Sequence, residues 1–208
     1  MEGSHAARSE AVSFGRIVSF TDGVFAIAIT LLVLNFEVPH VHDETERQLA
    51  HLLDELAGDF GAYCLSFAVL GRLWIVHHRL FSMLATFDGR LITLNLFYLA
   101  MIVLVPFTAE LLGDYGAEPL PAALYAAVLA AASALNWLMA RHAAHAGLLR
   151  PDCQEAVAPW ASAGALYIPG VFAVSIPIAF LSPLAAELMW VLLVVGRAVG
   201  SRRGGRLD

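Results

Sequence analysis

Charge is scarce in this chain. Only 14% of its 208 residues are Asp, Glu, Lys or Arg, against about 25% in soluble domains, so water is not its only solvent. Lysine is missing altogether, and every basic residue is an arginine. Cysteine is nearly missing too: Cys64 falls inside an apolar block and Cys153 in a polar loop, which excludes a disulfide framework and leaves packing as the expected role of Cys64. There is no His-Glu-x-x-His zinc motif, no Gly-x-Ser-x-Gly elbow and no phosphate-cradling glycine loop. An enzyme, a resident cofactor and a structural metal site are therefore not expected, and a net charge of −6 gives no reason to expect nucleic acid as a partner. Polar segments are also short, with the longest near residues 37 to 57 and 142 to 158, so no soluble domain of ordinary size fits beside the apolar blocks.

What the chain has instead is hydrophobicity in blocks. Apolar residues make up 59% of it, its mean hydropathy is +0.71, and the blocks run roughly 18 to 23 residues, the span a helix needs to cross about 30 Å of hydrocarbon. The pattern predicts an all-α integral membrane protein, one domain over residues 1 to 208, with six spans near 14–36, 58–80, 91–112, 121–141, 160–181 and 184–199. The first block carries Asp22 and lacks a small-residue cleavage site, so it reads as a retained span and not a secretory signal. Proline marks several ends: Pro39 after the first span, Pro119 and Pro121 opening the fourth, Pro159 before the fifth, and Pro183 in the turn to the sixth. Pro106, Pro169 and Pro177 lie inside spans, where bends are expected. Arg8, Arg16, Arg79, Arg90, Arg141, Arg150, Arg197, Arg202, Arg203 and Arg206 fall on one side of this plan. Glu37, Asp43, Glu44, Glu46, Asp54, Glu55, Asp114 and Glu118 fall on the other, with Arg47. Positive loops stay in the cytoplasm, so both termini are expected there, beneath an acidic outer face that either concentrates cations or is ordinary solvated loop.

The first span holds Asp22, a charge costing about 2.5 to 3.5 kcal/mol at a helix centre and less near the interface. It needs a partner, and Arg16, Trp74, His77 and Asn95 lie at similar depth. Such a network either clamps three helices in register or meets a permeating ion. On the same helix Phe20, Val24, Ile27, Leu31 and Leu34 recur at three- and four-residue steps and form one apolar stripe, with Asp22 about 140° from Ile27 around the axis. Core, lipid contact and pore lining are all compatible with such a stripe.

Arg16-x-x-x-Phe20-Thr21-Asp22 on the first span, Trp74-x-x-His77 on the second, and Asn95 followed by Pro106-Phe107 on the third resemble the bacterial branch of the transmembrane protein 175 family, the lysosomal potassium channels and their prokaryotic relatives. The family usually has serine where this chain has Thr21. The resemblance implies a homotetramer in the lipid bilayer whose first helices line a central pore. It also implies a constriction at Ile27, Leu31 and Leu34, a hydroxyl layer at Thr30, and potassium as the permeant ion. The Thr-Val-Gly-Tyr-Gly filter of conventional potassium channels is absent from the sequence. A bacterial plasma membrane suits the short loops and the Arg-rich inner side.

Two other readings fit the residues. A proton-coupled secondary transporter would use Asp22 and His77 as a relay, and a non-conducting scaffold would use the same network for packing alone. His77-His78 and the pair His142 and His145 lack the ligand company of a metal site, and for the latter pair a solvated face beside Arg141 is expected. Glu110 and Glu187 sit near the outer boundary, where partial solvation accounts for them.

Overall fold

The computed structural model describes the backbone of residues 2–35 and 46–204, and side chains over 14–34 and 60–193. Glu37, Pro39, Asp43, Glu44 and Arg206 lie outside the described residues. Seven α-helices account for most of the chain: α1 Glu2–Leu31, α2 Glu46–Ser82, α3 Gly89–Asp114, α4 Pro119–His145, α5 Gln154–Ala161, α6 Tyr167–Ala179 and α7 Pro183–Gly204. A 3-10 turn over Leu32–Asn35 prolongs α1, and two more, Pro151–Cys153 and Ala163–Leu166, flank α5. Four helices are long and apolar enough to cross a membrane, five if the bent pair spanning 151–179 counts as one. The described apolar part of α7, Pro183–Leu193, is shorter than a full span.

The helix ends follow from local chemistry. Asp88 has extended backbone angles, and its Oδ1 accepts from Leu91 N–H at 2.8 Å, capping one of the amides that a helix start leaves unpaired. Pro119 opens α4, where no donor is needed. After α4, Gly147 takes φ +69°, and Leu148 N–H returns to Ala143 C=O at 3.1 Å; this αL closure favours glycine. The chain then pairs with the α2–α3 loop through a bridge between Leu84 and Leu149. Ala85 N–H donates to Leu148 C=O at 2.8 Å and Arg150 N–H to Met83 C=O at 3.0 Å.

The core lies where α3 and α4 pack. α3 buries Tyr98, Ile102 and Val105, and α4 buries Ala122, Ala126 and Ala132, small residues that let helices approach closely where lipid competes for every apolar contact. Tyr125 O–H donates to Ser66 Oγ at 3.0 Å, tying α4 to α2.

Several expectations are corrected. α2 begins at Glu46, so Glu46, Arg47, Asp54 and Glu55 belong to a helix and not to a loop. The fifth span is interrupted at Ser162, with a 49° bend between its halves. Pro169 and Pro177 do not lie at the bend: Pro169 is in the first turn of α6, where a missing N–H costs nothing, and Pro177 lies near its end. Pro159 lies inside α5 and does not precede it. Ser162 Oγ donates to Pro159 C=O at 2.7 Å, and Trp137 on α4 donates to Ser162 C=O at 3.0 Å, so the break is held by hydrogen bonds. Pro106 sits within α3, which is assigned as one helix throughout. Cys64 is exposed on α2 in the single chain, whereas Cys153 is buried.

Candidate functional site

Polar groups of three helices meet where α1, α2 and α3 pack. Trp74 Nε1–H on α2 donates to Asp22 Oδ1 on α1 at 2.9 Å. Beside this bond runs a second chain. Asn95 Nδ2–H on α3 donates to Thr21 Oγ1 at 2.9 Å, and Asn95 Oδ1 takes a 2.8 Å bond from His77 Nε2. Because Oδ1 only accepts, His77 carries its proton on Nε2 in this arrangement. Thr21, His77 and Asn95 are all buried, at 1%, 2% and 2% exposure, so each bond is sheltered from competing water.

Aromatic packing fixes the imidazole. The His77 ring stacks on Phe81 at 4.1 Å and on Tyr98 at 5.1 Å between centroids, with Phe25 tilted against it at 6.1 Å. Tyr98 O–H reaches Leu73 C=O at 3.3 Å, and the Trp74 ring stacks on His78 at 5.2 Å. Asn95 is the centre of the arrangement, since its one amide engages α1 through the donor end and α2 through the acceptor end.

The sequence placed four groups around Asp22, and the structure divides them differently. Trp74 is its bonded partner. Asn95 and His77 serve the neighbouring Thr21 instead. Arg16 is exposed, as is Phe20 at 57%, so these two stand outside the bonded cluster. On α1 the buried positions are Thr21, Phe25, Ala28 and Leu32, while Ile27 (62%), Leu31 (38%), Leu34 (72%) and Thr30 are exposed from the single chain. Thr30 Oγ1 donates its proton to Ile27 C=O at 2.9 Å, which leaves its oxygen lone pairs facing outward as acceptors.

Two features escaped the sequence reading. His142 does not lie on a solvated face: its Nε2 is 2.7 Å from Asp88 Oδ2, and its side chain is only 15% exposed. The Leu91 amide and His142 together hold Asp88 below the usual carboxylate range. Arg72 falls within the second span, between loops whose arginines set the orientation, and lines a cavity with Arg79, Ser133 and Asn136. Its signal was available, because a charge inside an apolar block is rare.

Fold and site together define an all-helical membrane protein whose first three helices are joined by a buried polar tie. The family profile described as endosomal/lysosomal potassium channel TMEM175 matches residues 16–106, the stretch that contains every member of that tie. A potassium channel of Chamaesiphon minutus is 36% identical over 188 residues, 86% of this chain and 91% of the relative. A potassium channel of Streptomyces collinus is 38% identical over 135 residues, and the match spans 61% of this chain and 65% of that relative's length. The crystal structure of a lysosomal potassium-selective channel TMEM175 homolog from Chamaesiphon minutus superposes with a TM-score of 0.78 at 31% identity, covering 91% of this chain and 98% of that one. The chain belongs to the TMEM175 family.

Proposed function

We propose that this chain is the subunit of a potassium-permeable cation channel, assembled as a homotetramer in a bacterial plasma membrane around a pore lined by α1. The whole of residues 1–208 forms one channel domain, with α1 to α4, the bent α5–α6 pair and α7 as its six crossings and both termini cytoplasmic. Ile27, Leu31 and Leu34 form the constriction, Thr30 supplies the hydroxyl layer beside them, and no conventional filter loop takes part. The observation that carries this reading is the division of α1. One stripe is locked into its own subunit by Thr21, Phe25, Ala28 and Leu32, while Ile27, Leu31 and Leu34 project away from it. The names of the bacterial relatives support potassium as the ion.

Such a pore works by dewetting. Apolar side chains at a narrow point exclude water when close together and conduct when they separate enough to wet. Ile27 to Leu34 covers about 10 Å along the axis, roughly a third of the hydrocarbon thickness. An ion crossing that length sheds part of its hydration, and potassium sheds water at lower cost than sodium. The Asn95 tie sets the rotational phase of α1 and so determines which side chains face the axis.

The test is single-molecule recording of the purified protein in planar bilayers under a potassium gradient, repeated with Ile27→Asn and Leu31→Ala. Discrete cation-selective openings are expected. Ile27→Asn should ease hydration of the constriction, raising conductance and lowering discrimination between potassium and sodium. Electrical silence together with uptake into liposomes driven by a proton gradient would overturn the channel reading in favour of a transporter. Silence in both assays would leave the buried tie with a packing role only.

A further inference from the structure

Away from the α1–α3 tie, a cavity of about 410 Å³ opens between α2, α4, the bent α5–α6 segment and α7, within the range of about 300 to 1,000 Å³ in which small ligands bind. Among the described residues its wall carries two guanidinium groups, from Arg72 and Arg79, and no acidic side chain. The two arginines are seven residues apart on α2, which places them on one face about two turns from each other. Opposite them on α4 lie Ser133 and Asn136. Ser133 is 7% exposed, and Ser133 Oγ and Asn136 Oδ1 are the buried side-chain atoms without a hydrogen-bond partner among the described residues. Within a span no water compensates such atoms, and each costs several kcal/mol if left so.

Depth brings these groups into register. The loops that follow α2 and α4 are joined by the Leu84–Leu149 bridge, and the Asp88 cap of α3 meets the last turn of α4 at His142. Counted back from the ends of α2 and α4, Arg72 and Asn136 lie at the same level, about 15 Å in, while Arg79 lies less than one turn from the end of α2. A gradient results, with a guanidinium at the membrane surface and a second guanidinium with two unpaired polar atoms below it. Apolar and aromatic wall fills the rest. Trp137 and Trp160 line the same cavity, and tryptophan favours the level where headgroups meet acyl chains.

We infer that this cavity is a binding site for an anionic phospholipid of the leaflet adjoining the α2–α3 and α4–α5 loops. The phosphate is held between Arg79 and Arg72, the ester groups accept from the Ser133 hydroxyl and from the Asn136 amide turned over to present Nδ2–H where its unpaired Oδ1 now stands, and one acyl chain follows the apolar wall. A zwitterionic lipid would bring a choline cation against two guanidinium groups and is disfavoured. The phosphate chemistry is shared by soluble phosphate, which lacks the apolar body that the wall is built to cover.

The experiment titrates the full-length, delipidated protein with phosphatidylglycerol carrying brominated acyl chains and reads tryptophan fluorescence, with brominated phosphatidylcholine in parallel. Saturable quenching by phosphatidylglycerol alone is expected, with most of the saturable part lost in Trp137→Phe. Arg79→Gln should raise the midpoint about fivefold, the effect of one arginine facing an anionic surface, and Arg79→Lys should recover most of it. Arg79 is exposed, so this pair tests the site even if Arg72→Gln or Asn136→Leu fails to fold. Equal midpoints for the two lipids, or a midpoint unmoved by Arg79→Gln, would overturn the proposal. Displacement of the brominated lipid by millimolar inorganic phosphate would also overturn it, in favour of a soluble anion.

Discussion

The two halves of this molecule are joined by different means. α1, α2 and α3 meet through directional bonds: Trp74 to Asp22, Asn95 to Thr21, His77 to Asn95. α4 packs closely against α3 and α6, and buries the small side chains Ala122, Ala126 and Ala132 among its neighbours. In lipid both means are effective, because apolar burial alone does not distinguish a neighbouring helix from an acyl chain. They secure different things, however. Close packing of small residues sets distance, and tolerates rotation until a larger side chain intervenes. An amide engaged at both ends sets phase, and the half of the protein that must aim one stripe of α1 away from its own core uses the second device.

Changes at the tie should therefore cost most. Asn95→Leu leaves the Thr21 hydroxyl and the His77 N–H buried without their partner, and the expected loss is about 2 to 4 kcal/mol, read as a lowered unfolding temperature in detergent or nanodiscs. Trp74→Phe strips Asp22 of its donor and should cost about 1.5 to 3 kcal/mol by the same measurement. Ala126→Leu forces extra volume into a close helix contact, for about 1 to 3 kcal/mol. It should alter stability while leaving the orientation of α1 unchanged, checked by cysteine crosslinking at Leu34. If Asn95→Leu and Ala126→Leu changed the Leu34 crosslinking pattern equally, the distinction between distance and phase would fail.

The smallest effect lies at the α2–α3 turn. The folded protein holds the Asp88 carboxyl below its ordinary range, so its contribution is present above the unfolded value of about 3.9 and is lost as pH falls through the lower folded value. Asp88→Asn keeps a capping oxygen and should change stability at pH 7 by only a few tenths of a kcal/mol. The variant should lose the part of the acid-side decline in unfolding temperature that Asp88 supplies, whereas Asp88→Ala should cost about 1 kcal/mol at neutral pH.

Four of the helices were legible from hydropathy because their ends carry explicit signals, such as Asp88 before α3 and Pro119 at the start of α4. The break at Ser162 carries none. Trp160-Ala161-Ser162-Ala163 reads as an unbroken apolar stretch, and the interruption coincides with a tertiary bond from Trp137 on another helix. Around Asp22 the cast of polar residues was legible but the pairing was not. Depth along each helix can be counted from its ends, whereas the angle at which α3 faces α1 depends on packing, and that angle brought Asn95 to Thr21. His142 was misjudged for a related reason. Its partner, Asp88, is 54 residues away, beyond the reach of any local pattern.

The stitched α2–α3 and α4–α5 turns have a consequence for how this protein exchanges with solvent. Loop amides ordinarily trade their hydrogens first, but Ala85, Leu148 and Arg150 are bonded across the two turns, and their exchange must wait for the two turns to part together. At the Ser162 bend the bond from Trp137 ends on a carbonyl and protects no amide, and Leu166 and Tyr167 just beyond it are exposed. Deuterium should therefore enter at the kink before it enters the turns, so that local opening begins within the bilayer's depth and not at its edge.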